Sequence, residues 1–181
     1  MYPVHLGYDT AISRIHSLIE HGHQAEALVT SMFTVEKTLR RTLRQLIVSA
    51  GFTSPIANII IARLRGLTAI QDAWKLYDPQ NEQITDFVSS SDWQTFKYCA
   101  EMRNKLVHGE RVYDLVDCKK RSQEIVHALT RLKGLLDQRY GYSGWTSGSR
   151  RVQSRLHVDP KVTIHLNEPK LRTDRKLLKR S

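Results

Sequence analysis

The chain has 181 residues, 40% of them hydrophobic, which suits one buried core with an appendage. Its formal net charge is +10, and residues 141–181 carry +7 of it, with ten Lys and Arg against three Asp and Glu. This balance favours a polyanionic partner, nucleic acid before membrane, although a basic tail can also serve for solubility alone.

No segment of the sequence predicts secretion or membrane insertion. The first residues lack a basic stretch followed by an apolar run, and the longest aliphatic block, residues 59–62, is far shorter than the roughly 20 residues that span a bilayer. Cys99 and Cys118 lack the CxxC spacing of a zinc site and predict buried thiols. We therefore expect a cytoplasmic protein with no metal and no cofactor.

The first predicted helix is capped by Asp9 or Thr10, runs through Glu20 and is closed by Gly22. Three histidines lie near its end: His16, His21 and His23. Neither paired carboxylates nor cysteines accompany them, so we interpret them as solvated side chains rather than metal ligands.

The clearest element is a helix over residues 24–50. Its apolar residues are spaced by three or four and predict a buried seam of Leu28, Met32, Val35, Leu39, Leu43 and Leu46. Its outer face carries four cations, with Glu36 the one acid near them: Lys37, Arg40, Arg41 and Arg44. Such a face is ordinarily solvated, and it could hold RNA phosphates only if an RNA site lay beside it.

Three shorter elements are predicted next. A third helix begins with Pro55 at its first position and has an apolar side of Ile56, Ile59, Ile60 and Leu64. After Gly66 a fourth helix runs through Trp74 and Tyr77 to the breaking pair Asp78-Pro79. Residues 84–88 then form a brief apolar turn.

A helix over residues 93–107, with its N-cap among residues 89–92, carries the candidate site at its end. Residues 103–109 read Arg-Asn-Lys-Leu-Val-His-Gly, and the glycine is typical of a helix terminus. Arg103 and His108 are separated by about 140° and about 7.5 Å on a regular helix, so they do not share a face. To act together they need either a loosened helix over residues 106–109 or a second copy of the chain. A cation and a histidine there also favour the helix dipole, so both could be mere helix-end residues.

A final long helix is predicted over residues 115–140, with Ile125, Val126, Leu129, Leu132 and Leu136 facing inward. We place a domain boundary there, between a helical domain of residues 1–140 and an appendage of residues 141–181. The appendage opens with a Gly/Ser linker containing Gly141, Gly144 and Gly148. Apolar alternation around Asp159-Pro160 predicts a β-hairpin over residues 152–166, and a basic tail follows.

The stretch from Arg103 to Gly109 resembles the Arg-x4-His motif of the HEPN superfamily, small helical domains that often act as RNA nucleases. In that family the Arg is commonly followed by Asn, Asp or His, which Asn104 satisfies. The resemblance covers roughly residues 9–140 and implies an all-α, antiparallel four-helix bundle. It also implies a homodimer in which two motifs form one composite active site. Some members continue as His-x-Tyr, with the Tyr as a target for AMP transfer, but Glu110 stands at that position here.

Carried over to this chain, the resemblance implies a metal-independent endoribonuclease that acts as a toxin or a phage-defence effector. Arg103, Asn104 and His108 would be catalytic, and Lys105 and Arg111 would bind RNA. RNA supplies its own nucleophile, the 2′-OH, while histidine can move the protons near neutral pH and arginine can stabilise the phosphorane. The alternative is a non-catalytic HEPN-like RNA-binding or dimerisation subunit of a larger defence or toxin–antitoxin complex. An antitoxin or another defence protein is then the expected partner beside RNA.

Overall fold

The computed structural model describes residues 7–145, which form seven helices and no strand. The helices are α1 (Tyr8–Glu20), α2 (Gln24–Ser49), α3 (Ser54–Arg63), α4 (Gly66–Tyr77), α5 (Ile84–Phe87), α6 (Ser90–Val107) and α7 (Leu115–Tyr140). The all-α prediction is confirmed for this part of the chain. The predicted hairpin and the basic tail that follows it lie outside the described residues. None of these seven helices is long and apolar enough to cross a membrane.

The core is built around α2 and α7, which have 26 residues each and are therefore about 39 Å long. These two helices pack on each other, and α2 also contacts α1, α3, α4 and α6. Every apolar residue predicted to face inward on the two long helices is buried. Spacing by three and four therefore located the central packing surface correctly.

The polar residues of α2 that enter the core have hydrogen-bond partners within the helix. Ser31, Thr34, Thr38 and Thr42 each donate their hydroxyl to the carbonyl oxygen four residues earlier, at 2.7–2.9 Å. Because these donors are satisfied, the side chains can be buried at little electrostatic cost. These four polar residues widen the surface through which α2 contacts its neighbours.

Two local predictions need correction. The first helix begins at Tyr8 with Gly7 as its N-cap, so neither Asp9 nor Thr10 caps it. The apolar side of α3 is also not buried as a whole, because Ile56 and Ile59 are exposed. Only Ala57 of α3 is fully buried, while Ile60 and Ile61 are partly buried and also pack against the core.

The cations of α2 do not form the solvated face that the sequence predicts, since all four are partly buried. The Arg40 guanidinium donates to the carbonyl oxygens of Ile61 and Leu64, at 2.9 and 2.6 Å. Arg44 donates to the Asn58 side chain at 2.6 Å. These two cations therefore hold the end of α3 against α2, because the last carbonyls of a helix lack partners within it.

Residues 141–145, the start of the predicted linker, pack against the helical body. The Trp145 indole N–H donates to the Thr38 hydroxyl at 2.8 Å, and the ring meets Tyr8 edge to face with centroids 5.6 Å apart. Arg41 donates to the Gly144 carbonyl at 3.1 Å. The helical body therefore extends at least five residues beyond the end of α7.

Gly144→Ala should lower the stability of the protein by about 1–3 kcal/mol. A Cβ at this position would lie 2.7 Å from Cβ of Arg41, and the φ angle of +84° already disfavours a side chain. Gly22→Ala is the matched control, because Gly22 also has a φ of +84° but open space around it. Urea denaturation should show a smaller loss for the control. Equal losses in the two variants would mean that the contact with Arg41 contributes nothing.

Candidate active site

The end of α6 is a regular helix terminus closed by a glycine. The helix continues through Val107, and His108 is its C-cap with φ −84° and ψ 0°. Gly109 adopts a φ of +69°, where its N–H donates to the Leu106 carbonyl and the Glu110 N–H donates to the Lys105 carbonyl. This hydrogen-bond pair is the Schellman motif, which satisfies the last carbonyls of a helix. The helix is therefore not loosened over residues 106–109.

Within one chain the structure does not bring Arg103 and His108 together. With α6 regular between them, their side chains leave the helix in directions about 140° apart. Arg103 is largely buried against α2, whereas His108 is exposed. This geometry therefore does not support joint action of the two side chains within one chain.

Arg103 forms an ion pair with Glu36 of α2, through its Nη2 atom and the carboxylate Oε1. The two side chains are only 13% and 15% exposed. The guanidinium also lies over the Phe33 ring, 5.2 Å from its centroid. Glu36 and Phe33, one turn apart on α2, thus fix the position of Arg103 from two sides.

The pair uses only part of the hydrogen-bonding capacity of Arg103. A guanidinium has five N–H donors, and Glu36 accepts from one nitrogen. The Nε atom of Arg103 is buried and has no hydrogen-bond partner. The arginine therefore has donors beyond the ion pair, but Nε is closed to solvent and would meet a phosphate oxygen only if the side chain moved.

The sequence did not predict this partnership, because 67 residues separate Glu36 from Arg103. The available signal was that Glu36 is the one acid on a cationic stretch of α2. Asn104, predicted to orient the Arg or to hold the phosphate, is exposed and makes no side-chain hydrogen bond within residues 7–145. Glu36, rather than Asn104, orients Arg103 in this structure.

The two predicted RNA-binding residues, Lys105 and Arg111, are both exposed near the end of α6. The Arg111 guanidinium lies over the Tyr113 ring, 5.0 Å from its centroid. Neither cation forms an ion pair within the described part of the chain. Their positive charge is therefore open to solvent beside the exposed His108.

Four exposed apolar side chains lie close to His108 in the sequence, at the end of α6 and the start of α7. We call this group the loop patch, and it consists of Val107, Val112, Leu115 and Val116. Val112 and Val116 are 90% and 73% exposed. Grouped apolar side chains of this kind on a protein surface commonly mark an interaction site.

The cysteines are not candidates for nucleophilic catalysis. Burial raises the pKa of the Cys99 thiol to about 12, and burial also raises the pKa of Cys118. Both thiols therefore stay protonated and unreactive at neutral pH. Among residues 7–145 no three His, Cys, Asp or Glu side chains come close enough to hold a metal ion.

Comparison of the chain with protein-family models, with curated proteins and with solved structures finds no match.

Proposed function

We propose that the protein is a metal-independent endoribonuclease of the HEPN type, in which two copies bring their Arg-x4-His motifs into one cleft. The observation that carries this proposal is the geometry at the end of α6. Arg103 and His108 lie on different faces of a regular helix, and the exposed loop patch lies beside them. A second copy seated on that patch would bring the two motifs near each other. The all-helical body, with its two long packed helices, agrees with the bundle that the motif implies.

The proposed reaction is attack by the RNA 2′-OH on the adjacent phosphodiester. His108 of one copy accepts the 2′-OH proton, and His108 of the second copy donates a proton to the departing 5′-oxygen. The new bond from the 2′-oxygen to phosphorus closes a 2′,3′-cyclic phosphate, and the bond to the 5′-oxygen breaks. No water or metal ion is consumed in this step.

Arg103 stabilises the additional negative charge of the phosphorane through guanidinium N–H donors that the ion pair with Glu36 leaves unused. Glu36 keeps the guanidinium fixed before RNA arrives, so little side-chain freedom is lost on binding. Asn104 contacts the same phosphate, and Lys105 and Arg111 hold phosphates on either side of the cleavage point. The cellular role that fits this activity is that of a toxin or a phage-defence effector restrained by a partner protein.

The second candidate is a non-catalytic RNA-binding or dimerisation subunit of a defence or toxin–antitoxin complex. One observation favours it: Glu36 already neutralises Arg103 in a largely buried ion pair, as in a purely structural contact. In that case the four exposed residues of the motif region, Asn104, Lys105, His108 and Arg111, would bind RNA without cutting it.

The two functions are separated by incubating purified protein in EDTA with single-stranded RNA and, in parallel, with DNA of the same sequence. The nuclease should cut the RNA and leave the DNA intact, because DNA has no 2′-OH. Intact RNA, bound but not cut, would support the second candidate and exclude the first.

The protein should be a dimer at micromolar concentration, and Val116→Asp should convert it to a monomer. A carboxylate in the loop patch would be desolvated without a partner if the patch is the interface. Leu76→Asp is the matched control, because Leu76 lies on α4 and is 74% exposed, close to the 73% of Val116. Light scattering should give a dimer for the wild type and for the control. A monomeric wild type, with and without RNA, would remove the composite site.

A further inference from the structure

A groove of about 720 Å³ lies between α1 and α2 and reaches the end of α6. Its wall along α2 extends from Ala25 to Arg41, about 24 Å of helix. Leu106 and Val107, inside the Arg-x4-His stretch, form part of the same wall, and so does Trp145. The groove is mostly apolar, its volume is typical of a ligand site, and two of its lining residues belong to the Arg-x4-His stretch.

One ridge of α2 combines aromatic and cationic groups along this groove. Phe33, Lys37 and Arg41 are spaced by four residues, so neighbouring side chains start about 5–6 Å apart on one face. Arg103 lies over the Phe33 ring and extends the row at its other end. Phe33 itself is 53% exposed, which leaves ring surface open to a ligand.

Lys37 and Arg41 have no acidic partner within residues 7–145, unlike Arg103. They lie over the Trp145 ring instead, with Lys37 Nζ at 4.9 Å and the Arg41 guanidinium carbon at 5.6 Å from its centroid. Burial, and then the charge of Arg41, lowers the pKa of Lys37. Two partly buried, uncompensated cations one turn apart are electrostatically unfavourable until an anion binds between them.

The groove as a whole is positively charged. Among residues 7–145, three cations line it, Arg14, Lys37 and Arg41, against one acid, Glu26. The remaining two cations of α2, Arg40 and Arg44, are committed to α3 and do not line the groove. The fold therefore divides the basic stretch of α2 into a pair that holds α3 and a pair that lines the groove.

We propose that this groove binds the single-stranded RNA that adjoins the cleaved phosphate, with bases against Phe33 and the apolar wall and phosphates on Lys37 and Arg41. The inference rests on the proposed nuclease function and assigns the substrate path of that site. An aromatic and cationic row in a positively charged groove is the usual design for single-stranded nucleic acid, whose base faces are accessible. A duplex buries those faces in its own stack and would not fill an apolar groove.

The test measures binding of fluorescently labelled RNA in EDTA by anisotropy, with every ribose 2′-O-methylated so that no cleavage can occur. Lys37→Gln/Arg41→Gln should weaken binding of a single strand at least about tenfold. It should also lower the slope of log affinity against log salt by about 1.4, since each lost phosphate contact accounts for about 0.7. Arg65→Gln/Lys75→Gln removes the same charge from exposed positions outside the groove and should leave binding nearly unchanged.

The Arg41 substitution also removes a hydrogen bond to the Gly144 carbonyl and could destabilise the fold. Two further variants therefore test the groove without changing Arg41. Lys37→Gln alone removes a side chain that forms no hydrogen bond in the described residues and should lower the slope by about 0.7. Phe33→Leu keeps an apolar side chain without a ring and should weaken binding about fivefold or more. Wild-type RNA binding by both variants would mean that the groove is not the RNA path, and it would overturn the proposal.

The groove proposal would also be overturned if the groove and control double variants weakened RNA binding equally. The same holds if an RNA duplex bound as tightly as the single strand. An acidic amphipathic helix would then be the occupant that fits an apolar, cation-lined groove. This outcome is distinguishable from failure of the proposed function, because binding is measured without cleavage. If the wild-type protein binds RNA through the groove but does not cut unmodified RNA, only the nuclease proposal is contradicted. If the groove variants cut unmodified RNA as fast as the wild type, only the groove proposal is contradicted.

Discussion

His108→Ala is expected to reduce RNA cleavage by at least about a hundredfold, the usual contribution of a positioned acid or base. The substitution removes the only proton carrier in the Arg-x4-His stretch, and in a dimer it removes both the base and the acid. The fold should be unaffected, because His108 is an exposed C-cap whose contribution to the helix end comes from its backbone. Initial rates of RNA cleavage, measured beside circular dichroism, test the prediction.

The matched control for this substitution is His127→Ala, since His127 is an exposed histidine on α7 outside the candidate site. It should cut RNA at the wild-type rate. Full activity in His108→Ala would assign His108 to the helix terminus alone and would remove the mechanism.

Arg103→Ala should produce a loss of similar size, at least about a hundredfold, because it removes the group that stabilises the phosphorane. Arg103 also neutralises Glu36, so the substitution affects folding stability as well as catalysis. A largely buried carboxylate without its partner should cost about 1–3 kcal/mol of folding stability. Reduced activity in Arg103→Ala alone therefore does not separate catalysis from stability.

A pair of variants separates catalysis from stability. Arg103→Ala/Glu36→Gln removes both charges, so it should recover part of the lost stability while its cleavage rate stays as low as that of Arg103→Ala. Glu36→Gln alone keeps the guanidinium and should retain cleavage within about tenfold of the wild type, because one orienting hydrogen bond is lost. Cleavage that returns with stability in the double variant would show that Arg103 is a structural residue.

The sequence predicted the helical body well wherever the apolar periodicity was long. The bounds of α2 and α7 differ from the predicted ones by at most one residue, because each helix has many apolar residues at regular spacing that define its extent. The start of α1 was missed because Gly7 offers no side chain that signals a cap. The end of α6 was placed correctly, since glycine at position 109 adopts the left-handed conformation that terminates helices.

Long-range contacts could not be predicted from the sequence. Glu36 and Arg103 come together only when α6 packs on α2, and no local pattern encodes that pairing. Residues 141–145 have the composition of a flexible linker, yet Trp145 packs against Tyr8 and Thr38. The division of the α2 cations into a structural pair and a groove pair likewise follows from tertiary packing.

The most direct test of the nuclease is the chemical identity of the ends that it leaves on RNA. Purified wild-type protein is incubated with a defined single-stranded RNA in EDTA, and the fragments are analysed by mass spectrometry. Attack by the 2′-OH predicts a 2′,3′-cyclic phosphate on one fragment and a free 5′-OH on the other. Fragments that carry a 5′-phosphate and a 3′-OH, or cleavage that requires added magnesium, would contradict the account.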